Sequence, residues 1–506
     1  MSGDYSRKRF NPEKHYQGVL RQQGRVDLDA DWNEYVDLQD RRWRAETIDV
    51  VGRSGVPDET PDGFKIAVSG GELTVGQGRM YVDGYVAENH GTAPAFEPTL
   101  EEGYGTAALP VKNQPYGGPV TVPAQVRSLV YLDVWRREVT HLQAPDLIEP
   151  AVNVDSTTRY QTAWQVRVLA NIPPDITCDT PLSDIPGWPT GNRSSSARLT
   201  TTTVAVTTEP DPCLVPPTGG YRGLENHLYR VEVHSATTTT AKVKWSRENA
   251  HVATSLLETQ AGRTSVREES LGRDDVLRIK TGDWVELTSD QREFAGLPGE
   301  MRKVTVDDAN QTLTFSPALP AADFPQGVVD AAKHVRVIRW DQSGIVRKPD
   351  GSQLINLDLT SDGLIELSAA NPSFVLELGV QATLTVLAGG TAHSGDYWCF
   401  AARTADADIE RLNQAPPLGI HHHHAHLAII EPNGEIHDCR TVFPPLTELT
   451  PGCCTVVVRP GEDIQAAIDS LPDEGGCVCL KVGDHEIQAP IRIEKRILRK
   501  PVIGVV

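Results

Sequence analysis

The amino-acid sequence predicts a mainly β, multidomain protein. After Gly52 the apolar residues come in short runs rich in β-branched and aromatic types, the strand-forming side chains, and 42 glycines and 36 prolines among 506 residues break those runs apart. Only one long stretch, starting near Asp29, keeps a helical period. The C-terminal segment changes texture again, to a strand, a short helix and a second strand. At roughly 150 residues per domain, a chain of this length predicts about three domains. The expected layout is an N-terminal arm and helix (1–52), then a β-sandwich or barrel-like body in two parts (53–270 and 341–450) around a small inserted β module (271–340). The cap and first coils of a right-handed parallel β-helix follow (451–506).

Met1 to Phe10 is polar and basic without an apolar stretch, which predicts an arm and no signal peptide. In the helix, Trp32, Val36, Trp43 and Val50 share one face with Gln39 and Thr47. Asp37/Arg41 and Asp40/Arg44 are i,i+4 pairs expected on the solvated side. Asp29 or Asp31 is a candidate N-cap, and Gly52 a candidate stop. The face bearing Trp32 and Trp43 is large and apolar, and the arm has little core of its own, so both are candidate assembly elements.

Strands are expected at Leu73 to Val75, Arg79 to Asp83, Tyr85 to Ala87, Ser128 to Trp135, Thr162 to Leu169, Leu228 to His234 and Ala241 to Trp245. The Pro-, Thr-, Ser- and Gly-rich stretch from Pro173 to Gly220 reads as a surface excursion. Runs at Val276 to Ile279, Asp283 to Leu287, Lys303 to Val306 and Thr312 to Phe315 have the spacing of a small barrel or sandwich. Near the end, Val456 to Val458 and Cys477 to Val482 read as strands around a helix with the stripe Ile464, Ile468 and Leu471, and Pro490 to Ile493 as a further strand. Solenoids stack about three or more coils, so this end reads as the first one or two.

The net charge is −20. An acidic surface repels phosphate, which argues against nucleic-acid and anionic-membrane partners. No apolar run approaches the roughly 18 residues of a membrane span. Together with the missing signal peptide, this predicts cytoplasmic assembly and no membrane insertion.

His421 to His426 holds five histidines in six residues. On a strand, His422, His424 and His426 share a face and are candidate metal ligands, because neutral imidazoles are metal donors. An extended strand sets i and i+4 roughly 13 Å apart, too far for one ion. The favoured reading is therefore a packed, hydrogen-bonded strand without a cofactor, and a metal would sit between subunits. Cys178 and Cys213 bracket the excursion and are a candidate disulfide. Cys453, Cys454, Cys477 and Cys479 lack Cys-x-x-Cys spacing, and Cys477 and Cys479 share a strand face expected to pack as small hydrophobes. Asp27, Asp29 and Asp31 resemble the start of a calcium loop, but Trp32 and Leu38 stand where an EF-hand needs Gly and Glu. Gly76-Gln77-Gly78 has Tyr81 where a dinucleotide motif needs a third glycine. No Walker loop, nucleophile elbow or His-Glu-x-x-His is present. No catalytic residue is assigned.

Several ordered motifs carry a resemblance. Lys14-His15-Tyr16-Gln17-Gly18-Val19 is followed by Gln22 to Val26 and by Leu28-Asp29-Ala30-Asp31-Trp32-Asn33-Glu34. Further motifs are Val130 to Trp135, Trp164-Gln165-Val166, Tyr221 to Asn226, Lys244 to Asn249, Gly395 to Trp398 and Asp438-Cys439-Arg440. In this order they resemble a domain family of unknown function found in right-handed β-helix proteins encoded with phage-tail-like contractile injection systems. The resemblance implies a structural subunit of such a particle, in its baseplate, fibre or shell. It implies protein–protein assembly with other subunits, a homo-oligomer and a particle released from the cell. Two other readings compete: a polysaccharide-degrading β-helix enzyme, which needs more coils to build a groove, and a carbohydrate-binding module, which needs exposed aromatics from a chain with only 6% aromatic residues.

Overall fold

In a computed structural model the chain is mainly β, as expected, and is built from several sheets. The structure describes residues 3–69, 72–92, 107–114, 120, 123, 125–203, 220–272, 274–445, 455–471, 476–480, 483, 485, 487 and 490–493. The chain divides into two compact units, one of residues 1–56 and 62–441, the other of 57–61 and 442–506. No helix among the described residues is long and apolar enough to cross a membrane.

In the large unit, two five-stranded antiparallel sheets face each other. One runs in the order Ala197–Thr203, Val380–Val386, Ser373–Val375, Ile345–Arg347, Gln353–Asn356. The other runs Ile365–Ser368, Thr240–Ser246, His227–Ala236, Tyr397–Arg403, Asp408–Ile409. Alternation along these strands sends Leu199, Leu384 and Phe374 from one sheet and Tyr229, Val231, Val243, Trp245, Trp398 and Phe400 from the other into one buried core.

The small module is one strongly bent antiparallel sheet from Ala253–Thr259 to Arg336–Trp340, closed around Leu256, Val266, Val285, Leu287, Leu313 and Val337. Val276 to Ile279, expected as a strand, forms a turn instead. The Asp274 carboxylate accepts hydrogen bonds from the Val276 and Leu277 amides, and only an isolated bridge, Gly272 to Arg278, remains.

A third antiparallel sheet of the large unit runs Arg159–Ala170, Ser128–Val139, His422–Ile430, Ile436–Asp438. One face carries Val130, Leu132, Val134, Ala425 and Leu427 into a core shared with Phe64, Met80 and Val82. Ile172 and part of the excursion cover the other face, where Ile172, Ile176, Ile185 and Trp188 pack on Leu129, Tyr131 and Ile429. This position overturns the expected cysteine pairing. Cys178 bonds Cys439, with Cα atoms 5.1 Å apart, because the covering segment passes beside the edge strand that precedes Cys439. Cys213, like Cys453 and Cys454, lies outside the described residues.

The helix spans Asp29–Val51 and stops at Gly52. Neither aspartate caps it: Leu28 is the N-cap, and the Asp29 and Asp31 carboxylates hold the arm through Ser6 and Arg9. The arm is also more tightly placed than its composition suggests. Gly3 is buried, its amide donates to Glu138 Oε1 at 2.6 Å, and its carbonyl accepts from Asn249 Nδ2 at 2.9 Å.

In the small unit, Val456–Val458 and Val478–Leu480 pair in parallel, joined through the helix Ile464–Asp469, whose N-cap Asp463 accepts from the Gln465 and Ala466 amides. Val458, Ile464 and Ala467 are its buried core. Cys479 is disulfide-bonded, and Cys477 is partly exposed, so neither packs as a buried hydrophobe. Pro490 to Ile493 is exposed and forms no strand. The expected coils beyond it fall at 494–506, outside the described residues.

Two expectations follow. Glu268, on the strand Ser265–Glu268 of the small module, is fully buried with neither carboxyl oxygen hydrogen-bonded, and burial raises its pKa from 4.5 to about 8. The folded state therefore holds a proton that the unfolded state releases above about 4.5. This contribution is full below that pH, declines as pH rises toward 8 and is flat above it. Glu268→Gln is expected to stabilise the chain at pH 8 by about 1–3 kcal/mol and to flatten the pH dependence. Thermal melts of both proteins at pH 5 and pH 8 check this, and parallel profiles refute it. The Cys178–Cys439 bond closes a span of 261 residues. Cys439→Ser is expected to cost about 2–5 kcal/mol, read as a lower denaturant midpoint that reductant also produces in the parent chain.

Candidate functional site

The pairing of His422–Ile430 with Ser128–Val139 sets His422 opposite Trp135, His424 opposite Asp133 and His426 opposite Tyr131. Strand alternation places these six residues on one face, and sends His423 to the other. There His423 Nδ1 lies 3.0 Å from Asp83 Oδ2, with its ring against Tyr85.

Asp133 is the centre of the first group. Its Oδ1 is 2.7 Å from His422 Nδ1 and 3.4 Å from His424 Nε2, and its Oδ2 accepts from Arg167 Nε at 2.8 Å. Burial alone would raise the Asp133 pKa, but the His422 hydrogen bond and the neighbouring positive groups hold it below the usual carboxylate value. His424 sits between Tyr131 and Trp188, and burial pushes its imidazole down to about 4, so the ring is neutral. His424 Nε2 has no hydrogen-bond partner.

Of the candidate ligands His422, His424 and His426, the structure brings only the first two together. A β-bulge follows His426, and its ring turns to the Thr180 backbone, away from the other two. Asp133 replaces it. The sequence carried a signal for Asp133: a lone carboxylate inside the apolar run Leu129 to Trp135.

The helix forms the second group. Only Ala30 and Leu38 are buried in its 23 residues. Asp37 and Asp40, expected in solvent, face the body and reach Arg136, with Asp40 Oδ2 at 2.8 Å. Arg44 lies over the Tyr85 ring at 4.0 Å. Gly84 admits this approach: with φ at +82°, a Cβ there would stand 2.7 Å from the Arg44 carbonyl oxygen. The opposite face is apolar and uncovered, with Trp32 62%, Trp43 67% and Val50 55% exposed. Eleven and seven residues separate them, about three turns and two turns, so they form one stripe.

A cavity of about 1540 Å³ opens beneath the arm and helix. Its floor is a charge network. Lys244 Nζ contacts both Glu232 and Glu286, Trp340 Nε1 donates to Glu286 at 3.0 Å, and Arg230 lies over the Tyr397 ring at 3.8 Å. Burial is the largest influence on both carboxyl groups and raises them, yet Lys244 together with Arg230 at Glu232, and with His234 at Glu286, lowers both pKa values overall. Glu232 and Glu286 are ion-pair partners of Lys244, and these contacts tie the sandwich to the small module.

Comparison with known proteins adds one finding. The search of curated proteins and the search of solved structures return no match. A family of unknown function (DUF6519) matches residues 1–177 and 192–459. That span takes in the helix, the sandwich, the small module and the Asp133–His422–His424 group, and the chain belongs to this family.

Proposed function

We propose that the chain is a structural subunit of a phage-tail-like contractile injection particle, and that it assembles through the outward face of the Asp29–Val51 helix. One observation carries this reading: the helix is docked by its polar side and presents its aromatic side to the outside. Surface ion pairs such as the half-buried Asp40–Arg136 contribute about 0–1 kcal/mol each. Covering Trp32, Trp43 and Val50 would contribute about 1.5–3 kcal/mol per side chain. The stronger interaction is thus left for a neighbouring subunit. The motif resemblance supports the kind of particle. The Cys178–Cys439 disulfide suits a particle released into an oxidising exterior, as cytosolic proteins rarely keep such bonds.

The arm is anchored to Glu138 and Asn249, so its deletion would also disturb the fold. Point substitutions are the cleaner test. Trp32→Ser with Trp43→Ser is expected to leave circular dichroism and the melting midpoint within error of the parent, and to lower occupancy in particles purified from producing cells at least tenfold. Full occupancy of the double variant would refute the proposal.

A further inference from the structure

We infer that Asp133, His422 and His424 form a binding site for one divalent transition-metal ion of the zinc class. One carboxylate oxygen of Asp133, one nitrogen of His422 and one of His424 all lie within 4.8 Å of one another. Two donors bound at 2.0–2.1 Å to one ion stand about 2.9 Å apart at right angles and about 3.4 Å apart in a tetrahedron. The His424 Nε2 to Asp133 Oδ1 distance of 3.4 Å matches this, and the 2.7 Å from His422 Nδ1 needs only a few tenths of an ångström more.

The site is built by the sheet. A single extended strand cannot close three ligands on one ion, but Asp133 reaches in from the neighbouring strand directly opposite His424. A second observation points to a missing ligand. His424 Nε2 is buried without a hydrogen-bond partner, in a side chain 7% exposed, and it is aimed at Asp133 Oδ1. Arg167 holds Oδ2 and so fixes the direction of Oδ1, the oxygen turned to both histidines, as an outer-shell partner does. Two imidazoles and one carboxylate suit zinc-like ions over calcium or magnesium, which take oxygen sets. Three protein ligands leave at least one position open to water or another ligand. His422, 30% exposed, marks the route by which an ion enters.

The test uses the tag-free full chain, stripped with chelator and dialysed against micromolar zinc chloride. Elemental analysis is expected to give about one zinc per chain, with a higher melting midpoint than the stripped protein. His424→Gln and His422→Gln are expected to lose the bound zinc and the thermal shift, and His426→Gln to keep both. Arg167→Met is expected to weaken binding about ten- to a hundredfold. Circular dichroism identifies any variant that fails to fold, and the remaining folded histidine variant then decides. A folded parent chain that retains no stoichiometric zinc overturns the inference. So does zinc retained equally by the folded His422→Gln or His424→Gln chain.

Discussion

The ladder between Ser128–Val139 and His422–Ile430 governs the rest of the large unit. It joins residues almost three hundred positions apart, and both the sandwich and the small module lie within the span it closes. Closing so long a loop costs entropy that grows only slowly with length, so the cost is tolerable once the ladder has an apolar face to bury. Val130, Leu132, Val134, Ala425 and Leu427 supply that face. The Cys178–Cys439 bond then fixes the covering segment to the far edge of the same sheet.

The helix follows a different logic. A surface helix normally turns its apolar stripe inward. Here Asp37, Asp40 and Arg44 turn inward, onto Arg136 and Tyr85, because those positions of the body are themselves polar or amphipathic. The arm holds the helix start through Ser6 and Arg9. Orientation thus comes from directional polar contacts, and the aromatic stripe remains free to supply non-directional binding energy.

Much of the fold was legible because its signals are local. The stop at Gly52, the Trp32–Trp43 stripe and the strand-forming runs depend on neighbours in sequence. What sequence could not supply was pairing between distant segments. Asp133 and His424 are far apart in the chain, and only the strand register makes them opposite neighbours. Cys178 faces Cys439 for the same reason, although Cys213 stands closer in sequence. Of the helix's charged pairs Arg41 is exposed as expected, while Asp37, Asp40 and Arg44 meet the body, since i,i+4 spacing identifies which residues share a side and not which side meets the body.

The buried carboxylate of Asp133 also bears on how this sheet finds its register. The two faces of Ser128–Val139 are both covered over much of their length, so apolar pattern alone discriminates weakly between registers. A slip by one residue would exchange the faces, carrying Val130, Leu132 and Val134 out of their core and Asp133 into it against Phe64, Met80 and Val82, away from Arg167 and His422. An unpaired buried carboxylate costs several kcal/mol, far more than exchanging one aliphatic side chain for another. The Asp133 group therefore rejects the slipped pairing while stabilising the observed one only modestly. A polar cluster in a central strand thus serves specificity first, and the same enforced register brings three metal-type donors to one point.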